Sequence, residues 1–122
     1  MKHEVKILDL KVEVTTFEDT EIQVDVYRDG VEQTSGCVDT KELGEVDKDS
    51  NVDMETLLQT IDLTINGSED ECEHHLDSHY DSDLYAMETY HGWQFGDATA
   101  RETLYWVIGK EIAFTMYLNG VI

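Results

Sequence analysis

The chain contains no proline, only two cysteines, and eight lysines and arginines in 122 residues. Each shortage closes off a class. Without proline, one usual loop marker is gone, and boundaries must be read from glycine and polar clusters. Cys37 and Cys72 are too few for a disulfide framework, so two reduced, half-buried thiols are expected. Long apolar runs are missing, which argues against a membrane span and a signal peptide. The expected location is therefore cytoplasmic, in a host cell if the chain is phage-encoded. Scattered basic residues give no footprint for direct binding to nucleic acid or to an anionic membrane.

Basic residues are also missing from one long stretch. Between Lys48 and Arg101 lie 52 residues with no Lys or Arg, and 13 of them are Asp or Glu. This run supplies most of the formal charge of −20. Such density works against compaction through self-repulsion. Even so, 40% of the residues are hydrophobic, enough for a core in a single domain over 1–122.

Residues 1–38 read as antiparallel strands. Leu8, Leu10, Val12 and Val14 alternate with polar residues, and Ile22, Val24 and Val26 repeat the pattern. Asp29-Gly30 is a hairpin signal, because a tight turn requires positive φ. A third strand is expected through Val31 to Val38, weakened at Ser35-Gly36, then a polar loop over 39–50.

Residues 51–122 read as mainly helical and acidic. Met54, Leu57, Leu58 and Ile61 have helical spacing, with Ser50, Asn51 or Asp53 as a cap and Asn66-Gly67 as a stop. Asp62 to Ile65 has a competing reading as a short strand. Ser68-Glu69-Asp70-Glu71 matches a capping box, opening a helix from about Glu69 to Tyr90 that buries Cys72, Leu76, Tyr80, Leu84 and Met87. Gly92 and Gly96 break the chain around Trp93 and Phe95. Asp97 would cap a last helix through Leu118, with Asn119-Gly120 at its end. A hairpin turning at Gly109-Lys110 competes with it, because the segment is rich in strand-forming residues. If it is helical, Trp106 and Tyr117 fall off its main apolar side. There they either pack against the sheet or the acidic helix, or anchor a homodimer or a partner pocket. The expected class is α+β: an N-terminal antiparallel sheet of three to four strands followed by two to three helices packed on one face.

On the acidic helix, Asp70, Asp77, Asp81 and Glu88 fall within an arc of roughly 40° at 100° per residue. Glu69, Glu71, Glu73 and Asp83 widen the stripe. Eight acids over residues 69–88 give one charge per roughly 3.8 Å of helix, at about 1.5 Å rise. A DNA strand carries one per roughly 3.4 Å. A solvated acidic face is the plain alternative, but ordinary surface helices mix signs, and here no Lys or Arg stands three or four residues away. The candidate partner-binding residues are Asp70, Glu71, Glu73, Asp77, Asp81, Asp83 and Glu88, facing a basic nucleic-acid-binding protein or complex.

Other chemistry finds less support. Cys72, His75 and His79 share a helix flank, with Glu71, His74 and His91 nearby, but no second Cys/His cluster exists to complete a zinc site. A calcium loop from Asp47 fails at Val52, where glycine is needed, and at Leu58. Neither a phosphate-cradling glycine loop nor a nucleophile elbow is present, so no enzyme and no cofactor is expected.

In size, charge, the basic-free stretch and the lack of catalytic motifs, the chain resembles the small acidic proteins with which phages and plasmids blunt host defence. These include DNA-mimic inhibitors of restriction enzymes, repair enzymes and CRISPR effectors. The resemblance rests on no aligned motif, and that group shares no common fold. It implies a non-catalytic inhibitor that occupies a basic nucleic-acid channel. An acidic adaptor or assembly subunit would look similar. So would a halophile-adapted domain, although only four alanines occur.

Overall fold

A computed structural model describes residues 1–17, 21–39, 54–79 and 99–121; Asp39, Asp77, His79 and Leu118 are described by their backbone alone. Four antiparallel strands, β1 (Lys2–Ile7), β2 (Leu10–Phe17), β3 (Glu21–Arg28) and β4 (Val31–Asp39), form one sheet in chain order. Three helices follow among the described residues: α1 (Met54–Asn66), α2 (Glu69–His79) and α3 (Ala100–Leu118). The class is α+β.

The period-2 pattern decides which sheet face is inside. Register aligns Val5 with Val12, Val12 with Val26, and Val26 with Thr34. Leu10, Val12, Val14, Ile22, Val24, Val26 and Val38 are all buried on that face. Asp29 and Gly30 both take positive φ, as a two-residue hairpin turn requires. The strand expected from Leu8 starts later. Leu8 is itself a turn residue at φ 52°, is largely exposed, and links β1 to β2 with Asp9. Ser35-Gly36 does not interrupt β4, which runs through both.

The strand alternative for Asp62 to Ile65 is overturned: these residues complete α1. Of its expected apolar stripe, Leu57 and Ile61 are buried, whereas Met54 and Leu58 are exposed. The hairpin alternative for the last segment is also overturned. Thr99 caps α3 by accepting from the Glu102 N–H, so the helix starts two residues later than a cap at Asp97 would place it. Asp97 itself lies outside the described residues, as do the loop from 40 to 50, the caps proposed at 50–53, Tyr80, Leu84, Met87 and the region around Trp93 and Phe95.

α3 is the centre of the molecule: every residue from Thr103 to Phe114 is buried. That environment explains its strand-like composition, since a helix packed on all sides needs no polar face. Two glycines let it approach the sheet. A Cβ at Gly109 would lie 2.8 Å from Val24 and Val26, and one at Gly36 would lie 2.5 Å from the Trp106 ring. The main core joins the sheet to Leu57, Ile61 and Ile65 of α1 and to Trp106, Ile108 and Ile112 of α3. A second cluster packs Cys72 and Leu76 of α2 on Leu104 and Val107 of α3. Among the described residues, no helix is long and apolar enough to cross a membrane.

Candidate acidic interface

The acidic helix begins where three helix ends meet. Gly67 N–H donates to Leu63 O at 2.7 Å, turning the chain out of α1. Ser68 then caps α2 reciprocally. Glu71 N–H donates to Ser68 Oγ at 3.1 Å, and Ser68 N–H donates to Glu71 Oε1 at 3.3 Å. The capping box read from sequence is therefore formed. Glu69, Asp70 and Glu71 occupy the first turn, where the helix dipole favours negative charge.

Arg101, the first basic residue after the acidic stretch, does not neutralise it. Its guanidinium donates to Thr64 O at 2.6 Å, Ile65 O at 3.4 Å and Gly67 O at 2.5 Å. Thr64 and Ile65 lie in the last turn of α1, where carbonyls have no partner within their own helix, and Gly67 follows it in the link to α2. Glu69 answers in the other direction, accepting from the N–H groups of Ala100 and Arg101 at the start of α3. Glu69 thus fastens α2 to the start of α3, and Arg101 fastens α3 to the end of α1; neither was singled out as a clamp in the sequence. Contacts across more than 30 residues leave no local signal.

Of the candidate partner-binding residues, Asp70, Glu71 and Glu73 are exposed on α2. Asp77 lies on the same helix. Asp81, Asp83 and Glu88 lie outside the described residues. Ion pairs join Lys2 to Glu4 and Glu13, and Lys11 to Glu13, on the sheet.

Of the residues considered for zinc, Cys72 and His75 meet separate partners, whereas the His79 side chain and His91 lie outside the described residues. Cys72 is fully buried and directs its sulfur to Leu63 O at 3.8 Å. Burial pushes its thiol above the usual value, against a smaller downward pull from Arg101. His75 Nε2 lies 2.8 Å from Thr60 Oγ1. Thr60 Oγ1 also donates to Thr56 O at 2.9 Å. No group of three or more His, Cys, Asp or Glu among the described residues is arranged to hold a metal ion. The cysteines are not alike and half-buried as expected: Cys37 is exposed and Cys72 is buried.

Beside the acids, α1 and α2 border an open groove of about 380 Å³ lined by Leu63, Asp70, Glu71, His74, His75 and Ser78. Sequence reasoning did not find it. The only trace is the four-residue spacing of Asp70, His74 and Ser78, which places them along one side of α2. Trp106, placed in the sequence off the main apolar side, is buried against the sheet, while Tyr117 is exposed. No family model, curated protein or solved structure matches the chain.

Proposed function

We propose that the protein is a non-catalytic inhibitor that mimics nucleic acid and blocks the basic nucleic-acid-binding site of a host defence protein, of the anti-CRISPR or anti-restriction type. The observation carrying this reading is the exposed acidic start of α2. Asp70, Glu71 and Glu73 stand on a helix clamped at its first turn, and the first cation beyond the acidic stretch faces backbone carbonyls. Carboxylates carried on a preformed helix need less backbone ordering on binding, which leaves more of their attraction for Arg and Lys of a partner. The spacing read from the sequence over residues 69–88, close to that of phosphates, would suit a groove built for a nucleic-acid strand.

The test is charge reversal of Asp70, Asp77, Asp81 and Glu88 to lysine. Partner binding should be abolished while circular dichroism reports an intact fold. Full retention of binding would refute the acidic stripe.

One observation favours a second reading. Met54 and Leu58, one turn apart on α1, are exposed apolar side chains. An adaptor or assembly subunit would use such a surface, and its binding would change little with salt.

A further inference from the structure

The groove between α1 and α2 has a size ordinarily associated with small-ligand sites, about 300–1,000 Å³, and its lining is chemically mixed. Leu63 provides an apolar wall, His74 and His75 provide planar rings, Ser78 provides a hydroxyl, and Asp70 and Glu71 provide negative charge. We propose that this groove is an anchor pocket for one arginine side chain of the protein partner. The inference rests on the reading given under Proposed function and names the group that the acidic interface takes first.

Charge selects a cation. No lysine or arginine occurs from 49 to 100, and Arg101 is engaged with the carbonyls of Thr64, Ile65 and Gly67. An incoming guanidinium therefore meets no resident competitor on α2. The walls are also fixed before it arrives. His75 is held by Thr60, a fully buried residue whose hydroxyl is oriented by its own helix. Ser68 N–H holds Glu71 through one carboxylate oxygen, and a carboxylate has a second to offer.

Shape and chemistry then favour arginine over lysine. An arginine stem can lie along Leu63 while its head reaches the acids. Its planar fork can stack on an imidazole and bridge a carboxylate through two parallel N–H bonds. An ammonium is a strongly hydrated point charge and can do neither. General acidity alone would not make that distinction, so it is the property to measure.

The experiment follows backbone amide shifts of the whole protein by NMR. N-acetyl-arginine methylamide and N-acetyl-lysine methylamide are titrated at equal ionic strength. The expected result is saturable shifts at Leu63, Asp70, Glu71, His74, His75 and Ser78, with arginine binding several-fold tighter than lysine. Ser78→Phe fills the groove without changing any charge and should remove the saturable arginine response. The isosteric pair Asp70→Asn and Glu71→Gln should remove it as well, with the groove's shape kept. Equal responses to the two amino acids, or an arginine response that survives Ser78→Phe, would overturn the pocket. A nona-arginine peptide separates this claim from the one beneath it. If the peptide binds with steep salt dependence while the single arginine gives no groove shifts, the pocket falls and nucleic-acid mimicry stands. If the peptide does not bind either, both fall.

Discussion

The indole of Trp106 lies directly on the bare α-carbon of Gly36. A Cβ at position 36 would meet Trp106 Cη2 at 2.5 Å, with no flexible chain end to move aside. This contact lets the central helix settle on β4 in the core of the molecule. Gly36→Ala should therefore cost about 1–3 kcal/mol, the usual range for overpacking a core. Urea denaturation would measure it as a lower midpoint with an unchanged slope. Unchanged stability would mean that the helix can withdraw from the sheet freely.

Arg101 should matter more than its partly exposed position suggests. Arg101→Ala leaves the end of α1 without its guanidinium contacts, and a loss of about 2–3 kcal/mol is expected for bonds from a charged donor. Arg101→Lys should restore only part, because an ammonium cannot span three carbonyls as a fork does. Hydrogen exchange of the amides at 68–72 should report loosening of the start of α2 in both variants.

The outer sheet face predicts a pH dependence. The hydrogen bond from Lys2 holds Glu13 below its ordinary value of 4.5, and the same bond raises Lys2 above 10.5. Glu13 therefore contributes stability that is complete above 4.5 and disappears as pH falls through its lowered folded value. Lys2 contributes stability that is complete below 10.5 and disappears as pH rises through its raised folded value. The gap in unfolding free energy between the wild type and Glu13→Gln should be constant from pH 6 to 9 and narrow at both extremes, by about the linkage slope for one proton. A gap independent of pH would show that the ion pair does not form in solution.

The two thiols should react in order. Cys37 is exposed and Cys72 is fully buried, so one equivalent of maleimide should add under native conditions and a second only on unfolding. Partial burial, together with a hydrogen bond to Glu21, raises the Cys37 thiol above its ordinary value. Its alkylation should therefore be slower at neutral pH than that of a free thiol and accelerate with alkali. Mass spectrometry of labelled peptides would assign the sites.

Much of this architecture is legible locally. Alternation in Leu10–Val14 and Ile22–Val26 gives the sheet face, Asp29-Gly30 its turn, and Ser68 with Glu71 the start of α2. Leu8 is not legible as a turn, because leucine rarely takes positive φ and its apolar character fits the strand pattern. The last segment is ambiguous for a physical reason. A helix surrounded by protein carries no polar stripe, so Tyr105 to Ile108 look like strand until their packing is known. Of the candidate interface, the acidic composition and the cap could be read directly. The Glu69 and Arg101 clamp and the groove beside Leu63 depend on helices brought together by the fold.

Nucleic-acid mimicry is tested most directly by competition. The protein is immobilised, exposed to nuclease-treated host lysate, and eluted with excess duplex DNA or RNA. The account predicts capture of a nucleic-acid-binding protein that nucleic acid displaces, with retention falling steeply between about 0.05 and 0.2 M salt. A captured partner indifferent to both nucleic acid and salt would contradict it, and the acids of α2 would be a solvated face.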